Sequence, residues 1–230
     1  MTQGAARRPI IVFDVNETLL DIEALTPFFA RVFEDGRAMR DWFAQAILYS
    51  EAITLAGAYA PFGELGGAVL RMLGAAKGVE VTEADLRELK SITEALPAHP
   101  DVPGALTRLR EAGFRLATLT NSAPAAQDSQ LNKAGLTEFF ERRLSIDAVG
   151  RYKPAPETYR GAARELGVGA DALLLVAAHG WDTLGAQLAG CAAALVTRKG
   201  NAALPLAVLP PPDIVGPDLG VVAQRIIERG

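Results

Sequence analysis

Asp14 follows the apolar run Ile10-Ile11-Val12-Phe13, and Thr18 stands four residues further on. A carboxylate at the end of such a run can act as a nucleophile, forming an ester or an acyl phosphate. The threonine hydroxyl can hold it by a hydrogen bond. The plainer alternative is that Asp14 caps the turn that follows. Thr120-Asn121-Ser122 follows a second run, Leu116-Ala117-Thr118-Leu119. These three residues can bind an anionic substrate group, or they can cap the helix that starts near Ala125. The two roles are compatible, because a helix N-terminus is itself an anion site. In Arg151-Tyr152-Lys153-Pro154-Ala155-Pro156, two prolines hold the lysine as a rigidly placed cation. It can neutralise Asp14 or a substrate carboxylate, or it can be an ordinary solvated lysine. Ala177-Ala178-His179-Gly180-Trp181-Asp182 places a histidine near an aspartate. That pair can orient or activate water, or it can flank a buried tryptophan. The second histidine, His99, lies in a proline-flanked link and reads as structural.

The elements that must position these groups read as a parallel α/β fold. The first two runs, with Leu173-Leu174-Leu175-Val176 and Ala193-Ala194-Leu195-Val196, are continuous rather than alternating. That suits parallel strands covered on both faces. Amphipathic helices lie between them. One starts after Asp101, which is placed to cap it; another spans the stretch around Tyr159 and Leu166. Gly113, Gly135, Gly167 and Gly190 each close a helical stretch. Helix–glycine–strand units in series predict right-handed crossovers and a doubly wound, Rossmann-like sheet. Ligands then bind outside the carboxyl ends of the strands, where all four segments fall.

Residues 22–96 break the alternation. They read as helices over Pro27–Phe33, Arg37–Leu55, Glu64–Ala76 and Thr82–Leu96, a helical subdomain inserted into a core of 1–21 and 97–230. The proline-rich 204–218 stretch reads as loop around a short edge strand near Asp213–Val215.

Composition bounds the function. The chain has 230 residues, a net charge of −4 and one cysteine, Cys191. The acidic balance argues against nucleic acid as the main partner. A single cysteine forms no internal disulfide and fits a reducing compartment. The N-terminal apolar run is too short for a secretory signal. No run approaches the roughly 20 residues of a membrane span. The expectation is a soluble cytoplasmic protein with no membrane partner.

Together and in this order, the four segments resemble the haloacid dehalogenase superfamily of aspartate-nucleophile hydrolases. The resemblance covers nearly the whole chain, including the helical cap after the first segment. Lys153-Pro-Ala-Pro-Glu-Thr-Tyr159 and the 177–182 stretch are most similar to the type II (S)-2-haloacid dehalogenases. The resemblance implies that Asp14 displaces halide from a small 2-haloalkanoic acid, without metal or other cofactor. Water then hydrolyses the aspartyl ester to a 2-hydroxy acid of inverted configuration. On this resemblance Thr18 bonds the nucleophile. Thr120, where serine is usual, offers its hydroxyl and backbone N–H to the substrate carboxylate. Asn121 contacts substrate and halide, Lys153 pairs with Asp14 and the substrate, and Tyr159 supports that network. Asp182 helps activate the water. His179, in place of the usual asparagine, is expected to take part in that step.

The chain also departs from the pattern. Aligning Trp42 with the family's tryptophan puts Phe43 where a halide-capturing arginine is usual. Arg40, three residues earlier, faces nearly the same side of a helix and is the expected substitute. Trp42, Phe43 and Tyr49 form either an apolar cradle for the leaving group or the core of the cap. Asn16-Glu17 replaces an aromatic–glycine pair, and Ala177 and Ala178 replace serines. The main rival is a magnesium-dependent superfamily phosphatase acting on a small phosphoester. It would need an acid where Asn16 stands and an aspartate where Ala178 stands. A third reading is a catalytically impaired homologue that binds a small anion. Without a bound cation, two carboxylates near one site need Lys153 to stay ionised. The apolar stretch Ile47–Phe62 is a candidate surface for a homodimer.

Overall fold

The computed structural model describes residues 8–229. Six parallel strands form one sheet in the order β3-β2-β1-β4-β5-β6. They are β1 (Ile10–Phe13), β2 (Leu116–Thr120), β3 (Arg142–Ser145), β4 (Leu173–Ala177), β5 (Ala192–Val196) and β6 (Ile214–Gly216). From β1 the chain winds outward through β2 and β3, then returns to the other side of β1 for β4, β5 and β6. The direction of winding therefore reverses between β1 and β4, which is where such sheets bind ligands. Phe13 is in register with both Thr118 and Val176, so the residues just past β1, β2 and β4 emerge at one level.

Every residue of β1, β2 and β4 is buried. Alternate side chains enter two cores. Ile11, Phe13, Leu116 and Val176 pack with residues of α5 (Val102–Glu111) and α9 (Leu219–Arg229). Ile10, Val12, Leu119 and Leu175 pack with α7 (Pro156–Glu165) and α8 (Gly180–Ala189). Both faces are thus covered, as the continuous apolar runs require. A further helix, α6 (Pro124–Lys133), connects β2 to β3.

Between β1 and α5 lie four helices and, among the described residues, no strand. They are α1 (Thr26–Phe33), α2 (Ala38–Leu55), α3 (Phe62–Lys77) and α4 (Glu83–Thr93). Thr82 and Asp85 build a reciprocal capping box at the start of α4. The chain leaves and re-enters the sheet side by side: Asp21 N–H donates to Pro97 O at 2.8 Å, and His99 N–H to Leu19 O at 2.9 Å. No described helix is long and apolar enough to cross a membrane.

Two expectations need correction. Asp101 occupies the position before α5, but its side chain makes no capping bond there. It instead takes a bidentate pair from Arg198 Nη1, at 2.9 Å to each oxygen, and the N–H of Leu219 at 2.6 Å. A charged partner outcompetes a local amide, so Asp101 ties the start of α9 to the core. Strand β3 was not anticipated. Arg142 and Arg143 are exposed and only Leu144 is buried, so this edge strand lacks an apolar run. The edge strand near 213–215 is present as β6. Gly113, Gly135, Gly167 and Gly190 all have positive φ, as helix-closing residues should.

Candidate active site

Asp14, Lys153 and Asp182 meet at the switch point. Lys153 Nζ lies 3.1 Å from Asp14 Oδ1 and 2.9 Å from Asp182 Oδ2. The lysine and Asp182 side chains are fully buried, and Asp14 is nearly so. Thr18 Oγ1 donates to Asp14 Oδ2 at 2.6 Å and accepts the N–H of Ala178 at 2.9 Å. The Tyr159 hydroxyl donates to Asp182 Oδ1 at 2.6 Å. Asp14 is placed by β1 and Asp182 by the first turn of α8, while Lys153 and Tyr159 come from the start of α7 and the loop before it. Gly185 lets α8 approach that loop: a methyl there would lie 2.5 Å from Pro154 Cβ and 2.7 Å from the Tyr159 hydroxyl.

These contacts set the charges. Burial opposes ionisation of Asp14, but Lys153, His179 and Thr18 together hold its carboxyl below the ordinary range. Asp14 is therefore an anion at neutral pH. Burial and the Asp14 charge raise Asp182, while Lys153 and Tyr159 pull it down. Burial disfavours the Lys153 ammonium, and the two carboxylates more than compensate, so its pKa is raised.

A second network adjoins the first. His179 Nε2 lies 2.7 Å from Glu17 Oε2. Its Nδ1 lies 3.7 Å from Asp14 Oδ2, is buried, and has no hydrogen-bond partner. Burial pulls the imidazole pKa down, but the Asp14 and Glu17 carboxylates outweigh it and lift it to about 9. Glu17 is itself buried, and His179 and Arg40 hold its carboxyl below the ordinary range despite that burial. Its backbone has φ +66°, a conformation that L-residues avoid at about 1–2 kcal/mol. Sequence reasoning missed Glu17 as a site residue. The signal was present: it stands where the family pattern has glycine, the residue that takes positive φ without cost.

The remaining expected residues divide. Thr120 and Asn121 lie at the end of β2: Thr120 Oγ1 accepts the N–H of Ser122 at 3.1 Å, and Asn121 Oδ1 that of Lys153 at 3.3 Å. The Phe43 ring lies 5.6 Å from the His179 ring, centroid to centroid. Trp42 is tied to α3 and α1, donating its indole N–H to Gly66 O at 2.8 Å and packing on Phe29. Tyr49 is exposed and joins no cradle. Arg40 pairs with Glu17 and Glu23, so its guanidinium faces these carboxylates.

Known proteins share this fold. A family model described as haloacid dehalogenase-like hydrolase matches residues 9–190. An (S)-2-haloacid dehalogenase of Pseudomonas sp. (strain YL) is 30% identical over 196 residues, 83% of each chain. Another, of Xanthobacter autotrophicus, is 30% identical over 197 residues, 84% of this chain and 77% of that one. The structure of the L-2-haloacid dehalogenase from Xanthobacter autotrophicus with chloropropionic acid covalently bound superposes with a TM-score of 0.86 at 27% identity. The match covers 97% of this chain and 99% of that one. The chain belongs to the haloacid dehalogenase-like hydrolase family.

The raised His179 pKa makes stability depend on pH. The folded state binds this proton more tightly than the unfolded chain, where histidine titrates near 6.5. The stabilisation is therefore full below about pH 6.5 and lost as pH rises through about 9. Urea unfolding across that window should show declining stability in the wild type and a flatter profile in His179→Asn. Equal slopes would contradict the assignment.

Proposed function

We propose that this chain is an (S)-2-haloacid dehalogenase. An oxygen of Asp14 attacks the halogen-bearing carbon of a small 2-haloalkanoic acid, and the carbon–halogen bond breaks on the opposite side. Water hydrolyses the resulting aspartyl ester to the 2-hydroxy acid of inverted configuration. The observation that carries this reading is the Lys153 ammonium between Asp14 and Asp182. It keeps the nucleophile ionised while Thr18 fixes its orientation. An ammonium has three N–H donors, and among the described residues Lys153 uses two. The third is available to a substrate carboxylate, with Thr120 and Asn121 close by.

The phosphatase reading fits these residues less well. Asn16 is no general acid, and its amide is engaged by Ser122 at 3.2 Å and Gln130 at 3.0 Å. Residues 22–96 act as a cap in this reading, excluding water while halide is displaced. Contact between Phe43 of α2 and His179 supports it. The names of the relatives support the same substrate class.

Leu48, Tyr49, Leu55 and Tyr59 are exposed along the second half of α2 and the turn after it. In the same reading two copies pair through this face. Light scattering should find dimers of the wild type and monomers of Leu55→Glu; a monomeric wild type would contradict the pairing.

The test of activity is halide release from (S)-2-chloropropionate in buffer containing EDTA. Release should persist with EDTA and fall by roughly a thousandfold or more in Asp14→Ala. Release abolished by EDTA, or p-nitrophenyl phosphate hydrolysis restored by magnesium, would favour the phosphatase instead.

A further inference from the structure

We propose that His99 is a positioning residue for the nucleophile: with Arg198 it clamps the two peptide units that flank Thr18, and so fixes the hydroxyl that orients Asp14. The proposal rests on the dehalogenase reading and concerns the turn that leads from β1 to the cap. Thr18 Oγ1 donates to Asp14 Oδ2 at 2.6 Å and accepts the N–H of Ala178 at 2.9 Å. Those bonds aim the carboxylate only if the backbone of Thr18 is itself held.

Within the turn, Glu17 N–H donates to Leu20 O at 2.8 Å, and the N–H groups of Leu19 and Leu20 both donate to Val15 O. The carbonyls of Glu17 and Thr18 take no backbone N–H among the described residues. A buried carbonyl needs a partner, and two side chains from distant segments supply it. His99 Nε2 lies 3.0 Å from Glu17 O. Arg198 donates to Thr18 O, from Nη2 at 3.0 Å and from Nε at 3.3 Å. One carbonyl belongs to the peptide unit before Thr18 and the other to the unit after it. The orientations of those two planes set φ and ψ of Thr18, and thereby the direction of its side chain.

The clamp is itself held. His99 N–H donates to Leu19 O at 2.9 Å, so this one residue grips two carbonyls of the turn, Glu17 by its ring and Leu19 by its backbone. Burial and the nearby Arg198 guanidinium keep the imidazole pKa below its ordinary value, so the ring is neutral at neutral pH. A neutral imidazole has one N–H, and a carbonyl oxygen only accepts, which assigns that proton to Nε2. Arg198 is buried and pairs with Asp101, two residues after His99, at 2.9 Å to each oxygen. The segment that returns from the cap thus carries both His99 and the anchor of Arg198. Glu17 points the same way: its φ of +66° persists only where the surroundings over-determine it, and the ring on its carbonyl is one such constraint. Lys153 keeps Asp14 ionised whether or not Thr18 is fixed. A loosened clamp therefore costs aim rather than charge, and the displacement of halide is the step that slows.

Single-turnover halide release from (S)-2-chloropropionate, with enzyme in excess at varied concentration, tests this at His99. Arg198 is left intact, because its loss would also free Asp101, which holds the start of α9. His99→Leu and His99→Phe remove the donor and keep apolar bulk. Their maximal rates should fall by roughly ten- to a hundredfold, with the half-saturating concentration little changed. His99→Gln returns an N–H near the place of Nε2 and should recover most of the rate. In a Thr18→Val background, His99→Leu should cost about twofold at most, because the group it positions is already gone. A merely structural role would lower the fraction of active protein and leave the rate of that fraction unchanged. Wild-type rates in His99→Leu and His99→Phe would overturn the proposal. So would an equal loss in both backgrounds, or a His99→Gln rate no better than that of His99→Leu. No halide from the wild type would remove the dehalogenase reading and this proposal with it, whereas wild-type release with unaffected variants removes only the proposal.

Discussion

One buried cation holds the site together. Lys153 stands between two carboxylates that could not otherwise both be ionised out of water. Asp14, Asp182 and the lysine are each costly to bury singly, and loss of one partner from such a group typically costs about 3–5 kcal/mol. The three therefore constrain one another. β1 must deliver Asp14, α8 must begin at the level of Asp182, and the loop before α7 must bring Lys153 between them. The small residue Gly185 follows from that demand, because α8 has to come close to Pro154 and Tyr159. The same constraint shapes the chemistry: an anionic nucleophile beside a cation with one donor to spare suits a substrate that carries a carboxylate.

The Glu17–His179–Arg40 network is a second solution to the same problem of buried charge. Arg40 answers Glu17, Glu17 answers His179, and His179 faces Asp14. Where the family pattern has a halide-capturing arginine, this chain has Phe43 against the imidazole. The imidazole, at the N-terminus of α8, is thus near both Phe43 and Asp14. Its charge is supported by the Asp14 and Glu17 carboxylates together.

Much of this was legible in the sequence, for identifiable reasons. β1, β2, β4 and β5 are buried on both faces, which leaves continuous apolar runs, and the chemistry follows directly after three of them. β3 carries two exposed arginines, so no pattern of burial marks it. Asp101 fits a local capping pattern, but Arg198, 97 residues away, takes its side chain. Glu17 is the most instructive omission. A glutamate beside a nucleophile reads as surface charge, and only the fold shows that His179 and Arg40, from distant segments, converge on it. Arg40 was expected near the leaving group, and its place is set by Glu17 and Glu23. Trp42 and Phe43 are adjacent in the chain but differ in surroundings, because neighbouring residues of a helix point about 100° apart, which sends the first against Phe29 and Gly66 and the second toward His179.

The central claim is that Asp14 attacks the substrate carbon directly and is regenerated by water at its own carboxyl carbon. A single turnover in water enriched in heavy oxygen, with enzyme in excess over (S)-2-chloropropionate, tests it most directly. The account predicts an unlabelled 2-hydroxy acid, whose new oxygen comes from Asp14, and label in the peptide containing Asp14. Label in the product with none in that peptide would mean that water attacks the substrate directly, and would contradict the account.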